Sequence, residues 1–368
     1  MPRVAHVVSS PGGVGGAEQV VASLVRGALE RDWQPLILNP FSLDPGNSPL
    51  EAICRPAPYA GMRCRSVMEL PGLRRWLGST LREFGPDIVH AHLFHAEVAT
   101  ASIRLPRKSR SVLTHHHGDH LVYLERRAAA RVDRYAGLRF DRVVAISEWV
   151  RNFLRGTYQY GDRKIELIRN GWEGRPRPHR GGQERPTVIC VANFRVQKGH
   201  ADLLNAFARV RSELPEARLV LVGEGELHDH IVAMSYGLGI AGSVELRGKV
   251  DDVWPHLANA DVFALSSLYE PLGIAVMEAL AAGLPVISTA VGGLPELVSE
   301  GENGRLVRPG DTDGLARRLV ELLRNETTRS AMGAAARAAA QKMHMRRTLA
   351  RYFDLYEGLL AERSFRAQ

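Results

Sequence analysis

Short apolar runs alternate along this chain with segments whose apolar residues recur every three or four positions. Residues 4–8 (Val-Ala-His-Val-Val), 36–38, 88–91, 112–114 and 143–146 read as buried strands. Residues 18–30 and 73–84 read as amphipathic helices, the first with Val21, Leu24, Val25 and Leu29 on one face. The rhythm breaks after Trp172: residues 173–186 carry Pro, Gly and charge with almost no apolar content, the composition of a surface linker. It then restarts, with strands at 187–191, 218–222, 244–246, 260–265 and 286–289 and a helix at 201–213. Ala-rich residues 334–340 read as helix, and Leu349, Tyr352, Phe353, Tyr356, Leu359 and Leu360 repeat at helical spacing over 348–362. Such alternation predicts an α/β fold of parallel sheets covered by helices on both faces. A chain of 368 residues exceeds what one core usually spans, so two domains are expected, 1–172 and 187–347.

Composition adds limits. With 45% hydrophobic and 24% charged residues this is an ordinary globular composition, and no apolar run reaches the roughly 18 residues needed to cross a bilayer. The first residues pass straight into a strand rather than a signal peptide. Cys54, Cys64 and Cys190 make an odd count without Cys-x-x-Cys spacing, which suggests neither a disulfide framework nor a zinc site and fits a reducing cytoplasm. Residues 1–171 hold 24 Lys/Arg against 16 Asp/Glu and the remainder 24 against 24, so the whole +8 lies in the first half. A basic half suits an anionic acceptor or an acidic membrane face, and plain solubility charge accounts for it equally well. Nucleic-acid binding is not expected, because no recognition module appears and aromatic residues are not interleaved with the basic ones.

The most informative stretch runs from Ser266 to Val298. Glu270 and Glu278 bracket Pro271-Leu272-Gly273-Ile274 at the mouth of an apolar helix. Carboxylates in such a run are costly to bury unless each accepts specific hydrogen bonds, and sugar and ribose hydroxyls would supply them. Pro271 fits the first helical turn, leaving the N–H groups of Leu272, Gly273 and Ile274 to face a hydroxyl-rich or anionic ligand. The segment, continuing through Gly283-Leu284-Pro285-Val286 and Gly292-Gly293-Leu294-Pro295-Glu296, closely resembles the Glu-x7-Glu signature of retaining glycosyltransferase family 4. The resemblance implies a GT-B arrangement, two Rossmann-like domains facing a central cleft, with a final helix (348–368) returning to the N-terminal domain. It implies that Glu270 contacts the donor sugar, that Glu278 contacts the nucleotide ribose, and that the intervening amides complete the site.

Other loops extend the likeness. Gly12-Gly13-Val14-Gly15-Gly16-Ala17-Glu18 joins the first strand to the first helix, where glycines allow close backbone approach to a ligand. It is not a dinucleotide fingerprint, since Glu18 stands where a third glycine is wanted; it resembles the family loop bordering the donor diphosphate, which places Gly15 and Gly16 at the donor. Residues 191–200 resemble the loop whose Arg and Lys clamp the diphosphate. Lys198-Gly199 matches, but Asn193 stands where the family's Arg usually falls, so either Arg195 or Asn193 is expected to serve. Gly223-Glu224-Gly225 resembles the turn beside the nucleotide, and Gly248-Lys249-Val250 the segment that reads the base edge.

His90, His92 and the run His115-His116-His117 sit at the carboxyl ends of two expected strands, where doubly wound sheets bind ligands. Neighbouring histidines on an extended chain face opposite ways, so one ion would find few of them and no metal or cofactor is expected. The family likeness favours His116 at the bond being broken, with His117 one register away. The reading is a metal-independent retaining glycosyltransferase that passes a hexose from a nucleotide sugar, UDP-linked by expectation, to a hydroxyl acceptor. Glu270, Lys198 and His116 would be its catalytic residues, and a lipid-linked acceptor or peripheral contact with the inner membrane face stays open. The rivals are a dinucleotide-dependent oxidoreductase, for which neither half offers the full glycine fingerprint and acidic partner, and a non-catalytic nucleotide-sugar binder.

Overall fold

The computed structural model describes residues 1–10, 15–44, 48–64, 69–116, 127–177 and 185–366. The chain divides into two compact units, Met1–Asn170 with Arg346–Gln368, and Gly171–Met345. In the first, β1 (Arg3–Val8), β2 (Gln34–Asn39), β3 (Tyr59–Gly61), β4 (Ile88–His92), β5 (Arg110–His115), β6 (Arg142–Ala145) and β7 (Ile165–Leu167) form one parallel sheet in the order β3-β2-β1-β4-β5-β6-β7. In the second, β8 (Thr187–Val191), β9 (Arg218–Val222), β10 (Val244–Gly248), β11 (Val262–Leu265), β12 (Val286–Thr289) and β13 (Gly304–Val307) form a parallel sheet ordered β10-β9-β8-β11-β12-β13. Helices cover both faces, which is why central strands are apolar on consecutive residues: Val4, Ala5, Val7 and Val8 of β1 are all fully buried. The expected fold of two Rossmann-like parallel-sheet domains is what the chain adopts.

Strand order reverses once in each sheet, between β1 and β4 and between β8 and β11. Chain leaving the carboxyl ends of such neighbours departs to opposite faces and opens a crevice between them. Residues 192–200 leave β8 and residues 266–273 leave β11, so the sequence motifs around Lys198 and Glu270 meet at one switch point.

Two boundaries differ from expectation. Trp172, placed in the first domain by its sequence position, belongs to the second unit: its N–H donates to the Met343 carbonyl, its indole Nε1–H to Ala340 (2.7 Å), and its ring meets Trp254 edge-on. The final helix, Met345–Arg366, starts before residue 348 and packs on the first sheet through Tyr352, Phe353, Tyr356 and Leu359, with Phe353 edge-on to Trp33. Among the described residues, no helix is long and apolar enough to cross a membrane.

Candidate active site

Lys198 ends the short 3-10 turn Val196–Lys198 that follows β8, and Gly199 then turns the chain into the helix His200–Glu213. Gly199 has φ +62°, and a Cβ there would stand 2.1 Å from the Ser266 carbonyl oxygen, so only glycine lets this loop lie against the chain leaving β11. The two loops are stitched together where the Ser266 hydroxyl donates to the Gly199 carbonyl (2.7 Å) and the Leu268 N–H to Gln197 (2.8 Å). Across this seam Lys198 Nζ donates to Glu270 Oε2 at 2.6 Å, a charge-assisted bond. Glu270 is buried and Lys198 half-buried.

The backbone of Glu270 is held from beyond β12. Gly293 donates its N–H to the Glu270 carbonyl at 3.0 Å, and Gly292, with φ +56°, passes so close that a Cβ would lie 1.8 Å from that oxygen. The Gly292-Gly293 pair, quoted earlier only as part of a motif, therefore fixes where the Glu270 carboxylate stands.

The helix begins later than its proline implied. Gly273 is the N-cap and the helix runs Ile274–Ala282, so Pro271 and Leu272 lie in the preceding loop rather than in the first turn. The groups opening the helix are then the N–H of Gly273, Ile274, Ala275 and Val276: Gly273 and Ile274 are as expected, and Leu272 is not among them. Leu272 and Gly273 are buried and Ile274 is half-buried. Glu278 follows Ile274 by four residues and so shares its face of the helix. It is half-buried, and desolvation pushes its carboxyl from 4.5 up to about 7.

The remaining donor candidates lie on loops of both units. Asn193 and Arg195 are exposed on the loop after β8. Gly223 is tied to this loop: the Ala192 N–H donates to Val222, the Gly223 N–H to Gly248, and the Phe194 N–H to Glu224. Val250, half-buried, follows β10. In the first unit Gly15 is half-buried and Gly16 exposed, and the Gly15 N–H is already donated to Glu18 Oε2 at 3.0 Å. That carboxylate caps its own helix, so the Gly15 amide is bonded within the chain to Glu18. Gly12, Gly13 and His117 lie outside the described residues.

His116 stands just past β5, half-buried, and its Nε2 lies 3.2 Å from His92 Nδ1. His92 Nε2 in turn lies 3.2 Å from His6 Nδ1. Beside them His90 bonds Tyr356 OH (2.6 Å) and Thr114 Oγ1 (2.7 Å), and Thr114 bonds Tyr352 OH (2.9 Å). Burial holds His6 and His116 down to about 3, and burial with mutual repulsion holds His90 and His92 well below 6.5, so the four imidazoles are neutral. His115 points the other way, toward Asp133 (3.3 Å), which also accepts from Tyr158 OH; burial and the Asp133 charge push the nearby Glu97 carboxyl well above its usual range. His6-His90-His92 and Glu97-His115-Asp133 each bring together three side chains of metal-ligating kind. In the histidine set the ring nitrogens are occupied by one another and by His116, Tyr356 and Thr114, with His6 Nε2 alone lacking a partner among the described residues. Sequence reading missed His6, whose only signal is a polar residue in the apolar run of β1 at the switch point.

Two parallel-sheet domains in succession along the chain, each with one reversal of strand order, are the architecture of a GT-B glycosyltransferase. Two family models match in succession, Glycosyltransferase Family 4 over residues 14–173 and Glycosyl transferases group 1 over residues 176–339. The chain belongs to these group 1, family 4 glycosyltransferases. It is 28% identical over 315 residues to N-acetyl-alpha-D-glucosaminyl L-malate synthase of Bacillus anthracis, covering 81% of this chain and 82% of that protein. Further curated relatives, 34–37% identical, match 40–47% of this chain and only 34–42% of their own length. Among solved structures, sucrose-phosphate synthase from Thermosynechococcus elongatus has a TM-score of 0.85 at 21% identity, covering 98% of this chain and 100% of that one. Anabaena HepE in complex with UDP-glucose has a TM-score of 0.82 at 21% identity, covering 97% and 99%.

Proposed function

We propose that this glycosyltransferase moves a hexose from a UDP-sugar to a hydroxyl acceptor with retention of configuration and without a metal ion. The observation that carries this reading is the Lys198–Glu270 pair at the β8–β11 switch point, 2.6 Å apart. When the donor binds, Lys198 turns from Glu270 to the diphosphate and stabilises the charge that develops on it as the glycosidic bond breaks. Glu270, released, accepts hydrogen bonds from sugar hydroxyls, and Glu278 accepts from the ribose. Asn193 and Arg195 lie on the same loop as Lys198 and assist at the phosphates. The first unit supplies the acceptor surface and His116, which donates a hydrogen bond to the donor. The departing phosphate takes the acceptor's proton, so no separate base is required. UDP is favoured as the nucleotide by the UDP-glucose bound to Anabaena HepE. The basic first half supports an anionic or lipid-linked acceptor, met in the cytoplasm at the inner membrane face.

A thermal-shift screen against UDP, GDP, ADP, NAD and the corresponding nucleotide sugars tests the proposal, because a ligand that binds only the folded state raises its melting temperature. UDP and one UDP-hexose should stabilise, and slow release of UDP from that sugar marks a catalyst. Stabilisation by NAD alone would point to the oxidoreductase instead. UDP-sugar binding without any hydrolysis or transfer would leave only a binder.

A further inference from the structure

The buried histidines of the first unit form a directed chain. Each neutral imidazole carries one N–H and one bare nitrogen, so His6, His92 and His116 can be linked in only two senses. If the bonds run inward, His116 Nε2–H donates to His92 Nδ1, His92 Nε2–H donates to His6 Nδ1, and His6 must carry its proton on Nε2. That atom is buried and has no hydrogen-bond partner among the described residues. If they run outward, His6 Nδ1–H donates to His92 Nε2 and His92 Nδ1–H donates to His116 Nε2. The unpaired group left inside is then a bare nitrogen instead of a stranded N–H, which is the rarer defect in folded proteins. His90 cannot divert the chain, since both of its nitrogens are taken by Tyr356 and Thr114. Register supports the geometry: His6 pairs with His90 across β1 and β4, Val8 with His92, and His92 with Thr114 across β4 and β5.

We propose that His6 and His92 are positioning residues whose outward-running bonds fix His116 as the Nδ1–H tautomer. His116 Nε2 is then occupied as an acceptor, and Nδ1–H is the only group the ring offers to a ligand. His116 is thereby a hydrogen-bond donor and not a base. The inference rests on the proposed role of His116, and it names the atom through which that role is exercised.

Long-range proton–nitrogen NMR of the full chain labelled with 15N-histidine tests it, with the His116 signals identified by their loss in His116→Gln. The wild-type spectrum should show a protonated Nδ1 and a bare Nε2 at His116. His92→Phe removes the ring that donates to His116 Nε2, so His116 should no longer be held as Nδ1–H and should populate Nε2–H, kcat should fall about tenfold, and the donor KM should stay within about twofold. In His92→Asn the side-chain amide replaces ring Nδ1 as donor to His116 Nε2, and both the wild-type tautomer and kcat should return. A proton on His116 Nε2 in the wild-type spectrum would overturn the proposal. So would an unchanged His116 in folded His92→Phe. If the tautomers are as stated and no nucleotide sugar is turned over, the relay stands and the proposed function fails.

Discussion

Glu278 gives the sharpest test of the donor site. Desolvation raises its carboxyl from 4.5 to about 7. A carboxyl displaced this far favours the folded state fully below about pH 4.5, and that advantage disappears as pH rises through 7. At about 1.4 kcal/mol for each pH unit of displacement, the loss amounts to roughly 3 kcal/mol by about pH 9. Glu278→Gln carries no proton to lose, so its stability should stay flatter across the same window. Urea midpoints of both proteins at about pH 5, 7 and 9 compare the slopes, whatever offset the substitution itself adds. Ligand binding should carry the opposite sign. A ribose donating hydrogen bonds to Glu278 prefers the ionised carboxylate, so UDP should bind roughly tenfold more weakly at about pH 6 than at about pH 8. Calorimetry on Glu278→Gln removes that part of the dependence and leaves whatever the phosphate contributes. Parallel pH profiles for the two proteins, in stability and in UDP affinity, would refute the placement of Glu278 at the ribose.

Lys198→Ala should lower kcat by at least about a hundredfold in a UDP-release assay, because it removes the diphosphate's cation and strands the buried Glu270 carboxylate; near-normal turnover would sink the site assignment. Gly292→Ala should destabilise by more than about 2 kcal/mol and raise the donor KM, since its Cβ would meet the Glu270 carbonyl at 1.8 Å; unchanged melting and kinetics would contradict that contact. Tyr356→Phe should cost about 1–3 kcal/mol in denaturant melts by leaving a buried His90 nitrogen unpaired, with UDP affinity unaltered. A neutral effect on stability would mean that this hydroxyl is not holding the last helix.

The central strands were legible because both of their faces are buried, which leaves continuous apolar runs such as 187–191 and 218–222, and these strands have those bounds. Of the edge strands, β10 was legible, while β3, β7 and β13 were not. β3 (Tyr-Ala-Gly) and β7 (Ile-Glu-Leu) are three residues each with little apolar signal, and their pairing comes from neighbours distant in sequence. Pro271 misled because a proline satisfies a tight loop as readily as a first helical turn, and Gly273 two residues later supplies the backbone freedom that delays the helix. Lys198, Glu270 and Glu278 were visible as charges set in apolar or glycine-rich context. The contribution of His6 was not, since three strands must be laid in register before its ring is linked through His92 to His116.

The mutual neutralisation of Lys198 and Glu270 bears on which molecules the empty enzyme can hold. A stray phosphate must detach the ammonium and leave a buried carboxylate uncompensated, while a free sugar must compete with that ammonium for the same oxygens. A molecule carrying both an anion and a polyol, covalently joined, satisfies the two partners in one event. On the proposed assignment, discrimination against the cell's abundant phosphates and sugars follows from an ion pair that only a bifunctional ligand can exchange without loss.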